Sequence, residues 1–213
     1  HPHGGWYNEH PDGRLVWENF RGKHGKMTQH PDGRYVYENF EGSGKMTSYP
    51  DKRQVYENFK VKHGPMTRYP DGRLVYEDFQ GHGKMTKHPD GRNVYENYLG
   101  EYGKTTIHPD GRQVYENFEG RGPMTQHPDG RYVYENYLGE YGKMTKHPDG
   151  RNVYENYKGK YGKMTHHEDG RKVYENYMGR GPMTQHPDGR YVYENYRGSG
   201  KMTKHPDGRN VYE

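Results

Sequence analysis

A Pro-Asp-Gly turn returns along the whole chain, and no other feature restricts the fold so severely. Its Asp recurs at Asp12, Asp32, Asp51, Asp71, Asp90, Asp110, Asp129, Asp149, Asp169, Asp188 and Asp207, in steps of 19 or 20 residues. Pro presets φ near −65°, Asp hydrogen-bonds its own turn, and Gly accepts a positive φ, so the chain reverses at each occurrence. The triplets Pro31, Asp32, Gly33; Pro89, Asp90, Gly91; and Pro128, Asp129, Gly130 represent these structural turns. Gly or Pro interrupts every window of about ten residues, which excludes helices of ordinary length.

Short extended segments flank each turn, as in Met27-Thr28-Gln29-His30 before it and Arg34-Tyr35-Val36-Tyr37-Glu38-Asn39-Phe40 after it. The repeat is therefore read as a β-hairpin closed by a type I turn plus bulge. A second Gly-containing turn, such as Gly42-Ser43-Gly44, links one hairpin to the next, and the one-residue variation in period lies wholly there. Alternation along the longer segment sends Arg34, Val36, Glu38 and Phe40 to one face and Tyr35, Tyr37 and Asn39 to the other. In this reading Arg34, Val36, Tyr37, Glu38 and Asn39 are ladder residues, with each Arg row neighbouring a Glu row of opposite sign.

Residues 1–213 form one array of eleven such repeats, and a slower rhythm groups them in threes. Pro replaces the Lys after Gly at Pro65, Pro123 and Pro182, marking superunits of 58 or 59 residues. The expected fold is all-β: tandem hairpins in one elongated, twisted antiparallel sheet, with a β-solenoid as the alternative.

The motif in Gly83-Lys84-Met85-Thr86, Pro89-Asp90-Gly91 and Tyr95-Glu96 resembles the MORN repeat, a short β-hairpin repeat. It departs from that family in a shorter period, in one extra residue between the turn Gly and the Tyr, and in Asn97 where Gly usually follows Tyr-Glu. The resemblance implies an elongated antiparallel sheet with a scaffolding, membrane-associated or cytoskeletal role.

Composition narrows the function. Only 27% of residues are hydrophobic, with 24 Tyr, 5 Phe and 2 Trp among them, so a thick aliphatic core is out of reach. The 33 Lys and Arg nearly balance 29 Asp and Glu, and this argues against a nucleic-acid partner. There is no Cys, hence no disulfide or thiolate site. No apolar run reaches the roughly 20 residues of a membrane-spanning helix.

His precedes most turns, for example His30, His88, His108, His127 and His147, with Tyr49 and Tyr69 as exceptions. A stacked row of imidazoles is a weak candidate for Zn or Cu binding. Ligands some 20 residues apart without a local pair favour instead a turn-flanking aromatic; His1-Pro2-His3 and His166-His167 are denser but incidental. The same turn-capping logic outweighs calcium binding by the Asp row. A motif repeated eleven times offers no single desolvated constellation for acid–base chemistry. The sequence thus points to a non-enzymatic structural protein without cofactor, assembling end to end or laterally with itself into a filament or fibre. An extracellular fibre is slightly favoured over a cytoplasmic or cytoskeletal element. The alternative is a MORN-type scaffold for other structural proteins or acidic lipid.

Overall fold

The computed structural model describes residues 6–22, 25–42, 44–58, 64–81, 83–97, 102–198 and 200–213. The linker residue Ser43 lies outside them, as do His1 and His3. The chain divides into two compact bodies, His1–Gly100 with Lys104–Pro109, and Glu101–Gly103 with Asp110–Glu213.

Both bodies are built from antiparallel hairpins of three- and four-residue strands. In the N-terminal body β1 (Tyr7–Glu9) pairs with β2 (Leu15–Trp17), β2 with β3 (Met27–Gln29), and β3 with β4 (Tyr35–Tyr37). The meander continues through β5 (Lys45–Ser48) and β6 (Gln54–Glu57). Consecutive strands from Gln113–Tyr115 to Asn210–Tyr212 pair in the same way in the C-terminal body. The expected all-β hairpin architecture is therefore observed in each body. A solenoid is excluded, because its coils would stack as parallel strands and every recorded pair is antiparallel.

Register is uniform. Met27 stands opposite Tyr37, Thr28 opposite Val36, and Gln29 opposite Tyr35. Across the linker the next repeat supplies Met46, Thr47 and Ser48 to the same three residues. Each Met is thus flanked by aromatic rings from both neighbouring strands, a packing that suits its polarizable thioether. Met27, Met46, Met85, Met124, Met144, Met164, Met183 and Met202 are buried. This Met–Tyr row is the core on one face; buried Val16, Val36, Thr28 and Thr47 form a narrower row on the other.

The aromatic row runs from repeat to repeat. Phe20 meets Tyr37 at 5.8 Å between centroids, Tyr37 meets Phe40 at 5.7 Å, and Phe40 meets Tyr56 at 5.9 Å. Phe40 therefore lies on the Tyr face and not, as alternation alone suggests, on the Val face. The strand stops at Tyr37, and the backbone turns through Glu41 at φ 50°. Once extended geometry ends, the two-residue alternation no longer decides which way a side chain points.

Candidate functional site

Each His-Pro-Asp-Gly-Arg segment folds into one compact structure. In the second repeat the Gly33 N–H donates to His30 O at 3.0 Å, and the His30 N–H donates to Arg34 O at 2.8 Å. With Gly33 at φ 86°, this is a type I turn followed by a bulge. Asp32 Oδ1 accepts the Arg34 backbone N–H at 3.1 Å, and Oδ2 accepts Arg34 Nε at 2.6 Å. The same pair of bonds recurs with small variation from Asp12–Arg14 to Asp207–Arg209. The donated Arg34 backbone N–H, reinforced by its guanidinium, holds the Asp32 carboxyl below its ordinary value.

This geometry redirects the ladder residues. Arg34 is committed to Asp32, so the Arg-against-Glu rows read from the sequence do not form. Glu instead meets Lys across the hairpin, as in Lys45–Glu57 at 3.1 Å. Arg34, Val36 and Glu38 do line one face together, in a trough of about 490 Å³ whose floor includes Thr28 and Thr47. Asn39 lies beyond the strand, in the linker, where a Cβ on Gly25 would come within 3.0 Å of its own Cβ. The equivalent Asn176 accepts the Gly181 N–H through Oδ1 at 3.3 Å, so this position organises the connection and not the sheet.

The candidate metal ligands His30, His88, His108, His127 and His147 are half-buried beside their turns. Successive repeats are two strand spacings apart, about 10 Å, too far for neighbouring imidazoles to share an ion. Among the described residues no three His, Asp or Glu come together in a way that could hold a metal. Where Tyr replaces His, the turn Arg lies over the ring: Arg53 is 4.8 Å from the Tyr49 centroid and Arg73 is 4.7 Å from that of Tyr69. The position before Pro thus serves as a platform beside the Arg.

Reading the sequence missed a contact between repeats. A Cβ on Gly33 would stand 3.0 Å from Pro50 Cγ, and one on Gly72 would stand 3.1 Å from Pro89 Cγ. Each turn Gly is the seat for the Pro ring of the next repeat. The only signal in the sequence was that Pro and Gly recur together.

The aromatic face is chemically quiet. Burial raises the phenols of Tyr37, Tyr56, Tyr134, Tyr154 and Tyr193 and pushes that of Tyr174 up to about 12. Carboxyls move down and phenols move up, both away from the neutral range in which general acids and bases work.

Fold and site together define an antiparallel β-hairpin repeat protein with a turn-and-ladder architecture. No family model matches the sequence, and no curated protein matches it. Among solved structures it is similar to the TCP10 domain of Danio rerio CPAP in complex with a peptide of Danio rerio STIL. That match has 21% identity over 97% of this chain and 96% of the other, with a TM-score of 0.44. The G-box domain of the microcephaly protein CPAP is similar at 18% identity, covering 99% and 98%, with a TM-score of 0.31. The SAS-4 (dCPAP) TCP domain of Drosophila melanogaster, in complex with a proline-rich motif of Ana2 (dSTIL), is similar at 14%, covering 78% and 92%, with a TM-score of 0.36.

Proposed function

We propose that this chain is a non-enzymatic structural element whose copies join through their outermost strands into a filament. The observation that carries the reading is the state of those strands. Tyr7–Glu9 and Asn210–Tyr212 are exposed along their whole length and each pairs on one side, whereas the strands next to them pair on both. An unpaired row of backbone N–H and C=O groups is a template for another strand.

Side chains support the same pairing. Within the array each x-Val-Tyr strand meets Met-Thr-x of the following repeat in fixed register. The same register across two copies would set Tyr212 against Tyr7, Val211 against Asn8, and Asn210 against Glu9. Tyr in place of Met keeps an apolar contact with Tyr212, and the outermost phenols would continue the aromatic row. The repeated turn, the thin Met–Tyr core and the absence of a metal cluster among the described residues support a structural role over a catalytic one.

Sedimentation velocity over a concentration series, with electron microscopy, tests the reading. Concentration-dependent, end-to-end growth is expected. Val211→Lys, which places a charge on the outer strand, should suppress that growth without lowering the melting temperature. A particle that stays monomeric at the highest attainable concentration would sink the proposal.

A second reading is favoured by a specific groove. Phe40, Gln54, Tyr56, Met66, Arg68 and Leu74 line a depression of about 600 Å³ on the aromatic face. A scaffold of the kind a MORN-like array implies would use it to seat an extended segment of a partner protein. Loss of peptide capture on Tyr56→Ala, with growth unchanged, separates this reading from the first. No described helix is long and apolar enough to cross a membrane.

A further inference from the structure

The linkers of the C-terminal body carry an unusual set of tips. In each, one residue other than glycine stands at positive φ: Leu138 at 52°, Lys158 at 52°, Met178 at 54° and Arg197 at 56°. This backbone region costs an L-residue about 1–2 kcal/mol. Two of these strained positions nevertheless hold large apolar side chains that face solvent, Leu138 at 54% and Met178 at 59% exposure. Burial within the chain explains neither.

Their surroundings are cationic. Lys158 and Arg197 occupy the tips on either side of Met178, each about 10 Å away by two strand spacings. Lys160 and Arg180 follow two residues behind the tips of their own linkers. Lys158 lies over the Tyr157 ring at 5.7 Å and Arg197 over the Tyr196 ring at 5.4 Å, so both stems follow the aromatic edge. None of these four cations has an ion-pair partner among the described residues. The nearby acids point elsewhere: Glu194 and Glu213 line the Thr–Val trough together with Lys201. Between Met178 and Arg197 lies a depression of about 450 Å³, bounded by Gly179, Arg180, Gly181, Asn195, Tyr196 and Arg197. It has the size and charge to receive a phosphate headgroup, with two guanidinium groups for its oxygens.

We propose that this linker edge docks on an anionic phospholipid surface, with Arg180 and Arg197 taking a lipid phosphate and Met178 entering the apolar boundary beside it. The pairing of an exposed apolar tip with flanking cations is what selects a lipid surface over a soluble polyanion, which has no use for Met178. The inference uses residues 157–198 and is independent of strand pairing between copies.

Co-sedimentation with phosphatidylcholine vesicles, with and without phosphatidylserine, reads it on the full chain. Binding that requires phosphatidylserine is expected. Arg180→Gln with Arg197→Gln should weaken it about 25-fold, from about five-fold per charge near an anionic surface. Met178→Gly should weaken it about ten-fold, while relieving the strained backbone so that folding is, if anything, improved. Lys146→Gln with Lys204→Gln makes the same change in net charge away from this edge and should leave binding within two-fold or so. Equal loss in the two double variants would overturn the proposal, leaving only non-specific charge. So would Met178→Gly binding like wild type. Inorganic phosphate or single-stranded nucleic acid shifting the Arg180 and Arg197 resonances, with no vesicle binding, would reassign the depression to a soluble anion and overturn the lipid claim.

Discussion

The seating of each Pro ring on the preceding turn Gly can be tested by one added methyl group. At Gly33 an alanine must hold φ near 86°, a region that costs an L-residue about 1–2 kcal/mol. Its Cβ would also stand 3.0 Å from Pro50 Cγ, closer than ordinary contact, and a Pro ring has little freedom to yield. Overpacking of this kind adds at least about 1 kcal/mol, giving a total of roughly 2–3 kcal/mol for Gly33→Ala. Gly208 supplies the comparison, since its φ is 89° but nothing lies within 4 Å of the place its methyl group would take. Gly208→Ala should therefore cost only the dihedral part, about 1–2 kcal/mol. The reverse experiment already exists in the sequence. Lys52 occupies the Gly position of its turn at φ 70°, with the same backbone bond to Tyr49 O at 2.9 Å. Lys52→Gly should gain about 1 kcal/mol, or about 2–4 °C in melting temperature for a chain of this size. Urea unfolding followed by circular dichroism, compared at constant m-value, reads all three. Equal losses for Gly33→Ala and Gly208→Ala would refute the stacking argument. An unchanged midpoint for Lys52→Gly would refute the dihedral argument as well.

Three further outcomes are expected. Thr105 takes the Met place of its repeat, is 1% exposed, and its Oγ1 has no hydrogen-bond partner; Thr105→Met should stabilise by about 1–3 kcal/mol in urea unfolding. The turn carboxyls, held low by the Arg backbone N–H, contribute stability that is present above their unfolded value near 3.8. That contribution is lost as pH falls through the lower folded values, so the urea midpoint should drop steeply below about pH 4, and Asp32→Asn should soften the slope. The buried phenols behave oppositely: raised above an unfolded value of 10.0, and up to about 12 at Tyr174, they favour the folded state below pH 10. Stability should fall as pH rises from 10 to 12, with the absorbance of Tyr174 phenolate appearing only there; simple titration at 10 would contradict its burial.

Much of the fold is legible in local chemistry because the repeat is local. Pro31, Asp32 and Gly33 place a turn whose bonds all fall within His30–Arg34, and Met27-Thr28-Gln29 and Tyr35-Val36-Tyr37 are the strands that turn joins. Loop closure over five residues leaves few alternatives, so turn position, hairpin type and antiparallel pairing followed from residue order. The variable linker length was visible in the same way. What tertiary structure alone decided begins where the extended backbone ends. The positive φ at Glu41 carries Phe40 to the Tyr face, and Asn39 leaves the sheet to organise the linker. Arg34 offers its guanidinium to Asp32 two residues away in preference to a Glu on a neighbouring strand, because the turn brings that carboxylate to 2.6 Å. The Pro50 seat on Gly33 and the exposed Met178 beside Arg180 and Arg197 are relations between repeats. They depend on how far one hairpin stands from the next, a distance that residue order does not state and strand pairing sets.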